Sequence, residues 1–162
     1  MLTQAKLKKI LSYNPETGIF RWLVAIGPRA LVGAEAGWKT AEGYRSVEID
    51  RKAYRLHRLA FLYMTGKFPE DWTDHINGKK SDNRWTNLRE ATKAINMQNR
   101  RRANKNSVSG ALGAHFNKRL NKYCAIIWHG KKQNHIGVYD TAAQAHDAYL
   151  TEKRRLHPGC TI

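Results

Sequence analysis

Between Trp72 and Asn99 the chain reads WTDHINGKKSDNRWTNLREATKAINMQN, and this stretch holds the residues best suited to chemistry. Asp74 offers carboxylate oxygens, Asn96 an amide oxygen and His75 an imidazole. Two hard oxygen ligands suit Mg²⁺ (or Mn²⁺), an ion that keeps several waters and takes further ligands from phosphate. A neutral imidazole beside it can take a proton from water through Nδ1 or Nε2, and the sequence does not distinguish the two. An isolated Asp-His pair means little, Asn-Gly is usually only a turn, and Asn87 and Asn96 taken singly suit turns and caps. Their joint spacing carries the reading: Asn87-Leu88 lies between a DHI strand and an N-x-x-N helix that contains Asn96 and Asn99.

For these groups to meet, the stretch must fold as strand, turn, strand, helix. Residues 72–76 predict a strand that ends at Asn77-Gly78, a strong turn signal. Residues 87–91 predict the returning strand, Thr92 an N-cap and residues 93–101 a helix. Folding the hairpin onto that helix brings Asp74, His75 and Asn96 together.

The stretch resembles the ββα-metal motif of HNH endonucleases, with Asp74-His75 as the leading pair, Asn87 in the middle and Asn96 last. The lead-in His57-Arg58-Leu59-Ala60-Phe61 is similar to the phage and intron-encoded homing type, and the likeness covers roughly residues 44–100. It implies that Asp74 and Asn96 hold the metal, that His75 is the general base and that Asn87 braces the loop and the histidine. Asp stands first and Asn last where the family letters have His, which favours an oxygen-ligand metal. His57 is read as a structural histidine, with a catalytic auxiliary role as the alternative.

Lysine and arginine total 29 against 13 aspartate and glutamate, a net charge of +16 and a pI near 10.2. An excess of this size spread along a chain points to a polyanion, with duplex DNA the expected partner. No apolar run approaches the ~20 residues of a membrane span. The start, MLTQAKLKKIL, has lysines inside its apolar pattern and does not read as a signal peptide. Cys124 and Cys160 form no C-x-x-C, so neither a disulfide framework nor a zinc ribbon is expected. This fits a reducing compartment, the cytoplasm (of a host cell if phage-encoded).

Upstream, Leu2, Leu7, Ile10 and Leu11 give one apolar face to a short helix, 14–18 a turn and 19–23 a strand. The run SYNPETGIFRW is scaffold on this reading, although it resembles the front end of phage HNH proteins. Residues 24–42, rich in Gly and Ala and poorly patterned, read as a loop with short strands whose places the sequence does not fix. Strands at 44–49 and 53–57 flank Asp50-Arg51-Lys52, and a helix over 58–65 stops at Gly66. Arg45 and Arg55 on that hairpin, and Arg89 and Lys93 beside the site, are candidate DNA contacts.

Residues 100–109 read as an extended basic linker, whose Arg100, Arg101 and Arg102 are further candidates, suited to a minor groove. Beyond it, strands near 113–117, 123–128 and 134–139 precede Thr141, an N-cap for a helix over 142–156 with Ala142, Ala145, Ala148 and Tyr149 on one face. The pattern over roughly 107–158 resembles the DNA-binding domain of plant ethylene-response factors, which implies one sheet face on the helix and the other on DNA. Alternation puts Tyr123, Ala125 and Ile127 towards the helix and Cys124, Ile126 and Trp128 outward. Candidate contacts here are His115, Asn117, Lys118, Arg119 and Lys122, then Trp128, Lys131, Lys132 and His135. An outward Cys-Ile-Trp strand can touch thymine methyls but cannot hydrogen-bond guanine bidentately.

The expected fold class is α+β: a ββα-metal nuclease unit over 1–99 with N-terminal strands and helices, the linker 100–109, and over 110–162 a three-stranded antiparallel sheet packed on one helix. The expected function is a metal-dependent endonuclease acting on duplex DNA, of nicking or homing type, with a non-catalytic DNA-binding regulator as the alternative. No heptad or long apolar stripe suggests a dimer or an obligate protein partner, so a monomer is expected.

Overall fold

The computed structural model describes residues 2–28 and 30–162. Arg29, inside the loop read over 24–42, lies outside the described residues. Among those described, the strands form four small antiparallel sheets in a mixed α/β chain. The chain divides into two compact units, 1–93 and 94–162.

The N-terminal unit opens with helix α1 (Gln4–Ile10), capped by Thr3, whose hydroxyl accepts from the Lys6 nitrogen at 3.2 Å. Leu11 is already extended, so the chain passes directly into strand β1 (Leu11–Asn14), which pairs with β2 (Ile19–Trp22). Reading Leu11 as a helix position concealed β1; the residue is completely buried either way. The Asn14 side chain accepts from the Glu16 and Thr17 nitrogens at 2.9 and 3.0 Å and fixes the turn. A further sheet has the order β3 (Trp38–Lys39), β4 (Arg45–Ile49), β5 (Lys52–Arg55), so the 24–42 region contains one short strand. Asp50 and Arg51 take positive φ of 52° and 59°, the geometry of a two-residue hairpin turn.

Helix α2 (Leu56–Thr65) starts two residues earlier than the sequence suggests and carries His57 with it. Its buried residues Leu56, Leu59, Ala60, Phe61 and Leu62 join Leu7, Leu11, Phe20 and Val47 in the core. Gly66 closes it in the left-handed conformation, φ 83°. Strands β6 (Trp72–His75) and β7 (Leu88–Ala91) pair antiparallel, Asp74 opposite Arg89 and His75 opposite Leu88. Between them lies a long loop, entered at Asn77-Gly78, with a single 3-10 turn at Trp85–Asn87. Helix α3 (Lys93–Gln98) follows and ends three residues short of expectation.

In the C-terminal unit, β8 (Ala114–Asn117), β9 (Lys122–His129) and β10 (Lys132–Tyr139) form a sheet of order β10-β9-β8. Helix α4 (Ala142–Leu156) packs on it, started by a complete Thr141–Gln144 capping box. Ala114, Ala125, Ile127, Ala145 and Tyr149 make the core. Gly113 is required here, because at φ 78° a Cβ would enter the Tyr149 ring. Cys124 stands opposite His115 and so keeps the side away from α4, yet it is buried, with the Asn117 amide 3.9 Å from its sulfur.

The division at Lys93 falls earlier than the one read at residue 99. Residues 98–101 are tied into the C-terminal unit rather than forming a free basic linker. Lys153, 1% exposed, donates to the Arg100 carbonyl; Gly159 donates to Gln98 at 3.0 Å; Thr161 donates to Asn99 at 2.6 Å. A fragment beginning at 106 removes that acceptor and the other ties of 98–101, a loss of ~1–3 kcal/mol. Urea denaturation of 94–162 and 106–162 fragments checks this, with the shorter one expected to unfold at clearly lower denaturant.

Candidate active site

The last residue of β6, His75, is 4% exposed. Its Nε2 lies 3.1 Å from Oδ1 of Asn83, itself 1% exposed. A carbonyl oxygen only accepts, so Nε2 carries the proton and the lone pair is at Nδ1. Burial pushes the proton affinity of His75 below its ordinary value; the Asn83 bond and the Asp74 and Asp82 carboxylates oppose this, and Lys80 reinforces it. The imidazole is therefore neutral at neutral pH. The Asn83 Nδ2 has no partner, a buried donor costing ~1–3 kcal/mol that the fold tolerates here.

Two further rings enclose the histidine. His57 stands edge-on at 5.1 Å between centroids, and Tyr44 lies 5.2 Å from His57 and 6.0 Å from His75. Cations cover the Tyr44 ring, Arg55 at 4.9 Å and Lys80 at 4.8 Å. The Tyr44 hydroxyl is pushed upward, mainly by burial. His57 is 7% exposed and its Nδ1 has no hydrogen-bond partner, so it is not the satisfied structural histidine expected.

Asp74 is 5% exposed, and its Oδ2 accepts from Arg89 Nε at 2.9 Å and Nη2 at 2.7 Å. The cross-strand register of β6 and β7 sets this pair. Asn87 braces the loop from both sides. Its Oδ1 accepts from the Asn77 nitrogen at 2.9 Å and its Nδ2 donates to the Asp82 carbonyl at 2.7 Å. Nε2 of the histidine is bonded by Asn83, a residue the sequence reading did not single out. Nothing in SDNRW distinguishes Asn83 from a turn residue, and Lys80 likewise reads as part of a solvated turn. Asp82 is held at a pKa of about 2, chiefly by its bonds from Arg84.

Asn96 lies half-buried on α3, in the C-terminal unit, whereas Asp74 belongs to the N-terminal one. Among the described residues no group of three His, Cys, Asp or Glu side chains is placed to hold a metal. A single buried carboxylate such as Asp74 fits a hard, largely hydrated divalent cation and does not fit a metal that needs a protein cage.

Of the candidate DNA contacts, several have structural duties. Arg45 pairs with Glu35 at 2.7 Å, Arg55 with Thr40 at 2.8 Å and Glu42 at 3.4 Å, and Arg89 with Asp74. Arg100 folds back onto the Arg102 carbonyl at 2.9 Å, and Arg101 bonds Thr161 at 2.6 Å. Asn117 closes its turn by accepting from Arg119 and Leu120 nitrogens at 3.0 and 3.2 Å, and Lys122 pairs with Asp140 at 2.8 Å. Lys93, Arg102, Lys118 and Arg119 are exposed, as are Lys131 and Lys132. His115, Trp128 and His135 are exposed too, and the register puts all three on the sheet face away from α4.

Residues 54–98 match the family model of HNH endonucleases. That segment contains His57, Asp74, His75, Asn83, Arg89 and Asn96, while Tyr44 lies before it. A solved structure concerning DNA binding and cleavage by the HNH homing endonuclease I-HmuI is similar over 56% of this chain and 51% of that chain, at 24% identity and a TM-score of 0.42. The chain thus spans about half the length of that relative. No curated protein matches. Among the described residues no helix is long and apolar enough to cross a membrane.

The enclosed His57 predicts a pH effect on stability. Burial first, then His75, Arg58 and Arg55, lower it from an ordinary 6.5 to about 3. The folded pKa lies below the unfolded one, so the unfolded chain binds more protons between these values. The stability tied to this neutral ring is complete above about 6.5 and is lost as pH falls towards about 3. Denaturation midpoints measured from pH 7 to 4.5 should fall, and the slope should be shallower in His57→Phe. Equal slopes in both proteins would show that His57 does not carry the effect.

Proposed function

We propose that the chain is a metal-dependent endonuclease that hydrolyses a phosphodiester bond in duplex DNA. The observation that carries this reading is the buried, neutral His75, tied through Nε2 to Asn83 inside the segment that matches HNH endonucleases. In this mechanism Nδ1 of His75 takes a proton from a water molecule. The water attacks phosphorus in line with the departing 3′ oxygen. General-base assistance of this kind contributes ~10²–10⁴-fold.

Asp74 is the residue of the N-terminal unit that would hold the cation, Mg²⁺ or Mn²⁺, and Asn96 is a ligand only by the resemblance to HNH endonucleases. When bound, the cation supplies Lewis-acid polarisation and neutralises charge on the phosphate. Arg89 holds the Asp74 carboxylate. Lys80, whose charge already acts on His75, and the exposed Lys93 add positive charge near the phosphate. Asn87 keeps the 77–82 loop closed beneath the histidine.

The C-terminal unit serves as a DNA-binding module on this reading. A three-stranded sheet backed by α4 and the exposed His115, Trp128 and His135 on its other face support that role. The net charge of +16 supplies the sequence-independent attraction to duplex DNA.

The test is substitution at the two central residues. His75→Ala and Asp74→Ala should each lower single-turnover cleavage by at least ~10²-fold, with duplex affinity by gel shift little changed. Cleavage by both at the parental rate would remove this site from consideration. One set of catalytic residues per chain cuts one strand per engagement, so the product expected from a monomer is a nick. Open-circle plasmid should accumulate at a rate first order in protein. Linear DNA from the earliest times, at a rate rising with the square of protein concentration, would indicate paired subunits instead.

A further inference from the structure

The SYNPETG run, residues 12–18, forms the end of β1 and the turn into β2, and on its own suggests only scaffold. Its contacts are specific. The Tyr13 hydroxyl, in a buried position, donates to the Asn83 carbonyl at 2.7 Å. The Pro15 carbonyl accepts from the Trp85 nitrogen at 2.9 Å. Gly18 has φ 74°, and a Cβ there would come within 2.9 Å of the Asn83 oxygen and closer still to Asn83 C and Arg84 N. The hairpin therefore holds the 83–85 backbone on both sides of Arg84 and lies flush against it.

Asn83 has little else to orient its side chain. Among the described residues its one hydrogen bond is with His75, and Nδ2 has none. The position of its Oδ1, and so which ring nitrogen of His75 is protonated, depends on where the backbone is held. Tyr13 is itself fixed, stacked on Phe20 at 4.5 Å and edge-on to Tyr63 at 5.6 Å.

We propose that the β1–β2 hairpin is a positioning element for His75: Tyr13, Pro15 and Gly18 set the Asn83 backbone, and Asn83 then holds the histidine in the Nε2-protonated tautomer. This rests on the reading of His75 as the general base only for its effect on cleavage. The structural link itself is independent of any reaction. Misplacement of a catalytic group by ~1 Å can cost ~10²-fold in rate, so loss of one anchor should be visible.

Tyr13→Phe keeps the ring stack and deletes the hydroxyl. In the full chain, three quantities are compared with the parent: single-turnover plasmid cleavage, duplex affinity, and the ¹⁵N shifts of the His75 ring. The expected result is a loss of roughly 10-fold or more in cleavage rate at unchanged duplex affinity. The His75 nitrogens should move from a single Nε2-protonated pattern towards a tautomer mixture. Added to Asn83→Ala, Tyr13→Phe should cause no further loss, because both act through one path. Parental ¹⁵N shifts in Tyr13→Phe would overturn the proposal, whatever the cleavage rate. A chain that cuts no DNA but whose His75 tautomer responds to Tyr13→Phe would uphold the positioning role while defeating the nuclease reading.

Discussion

The hydrogen bond from His75 Nε2 to Asn83 Oδ1, sealed from solvent, is the constraint on which the rest of the site depends. It fixes which nitrogen is basic. The surrounding burial keeps the ring uncharged, and the His57 and Tyr44 rings maintain that burial. Asn83 lies in a long loop, which must itself be held rigid. Asn87 spans it from Asn77 to Asp82, Asp82 bonds Asn77 and Arg84, and the N-terminal hairpin clamps 83–85. A segment that would be mobile by length alone thereby becomes a rigid cradle.

Charge is used in two ways. The overall excess is large and suited to long-range attraction of a polyanion. Locally, many of the arginines are committed: Arg89 to Asp74, Arg45 to Glu35, Arg84 to Asp82. The pair between Arg89 and Asp74 is mostly buried, so it orients the carboxylate as well as neutralising it. The C-terminal unit shows the same economy, with Lys153 spent on the Arg100 carbonyl and Arg101 on Thr161.

Much of this was legible in the sequence. The Asp74-His75 strand, the returning strand at Leu88, the Gly66 cap and the α4 helix with its Thr141 cap follow from periodicity and punctuation. Strand β1 did not, because Leu11 and Tyr13 suit the face of a helix as well as a strand, and only pairing with Ile19–Trp22 decides between them. Asn83 and Lys80 were hidden because a polar loop residue looks the same whether it faces water or a buried imidazole. The division into compact units at Lys93 was not legible, because the ties that draw 98–101 into the C-terminal unit come from Lys153, Gly159 and Thr161, more than fifty residues away. Long-range hydrogen bonds of this kind leave no local pattern.

The central claim is that this cradle performs hydrolysis of DNA with the help of a divalent cation. Supercoiled plasmid incubated with the purified chain, with Mg²⁺ or Mn²⁺ and in parallel with excess chelator, addresses it most directly. Conversion to open-circle product with the cation, and none with chelator, is the predicted result. Plasmid left intact in both metals at excess protein, or cut equally well under chelation, would contradict it.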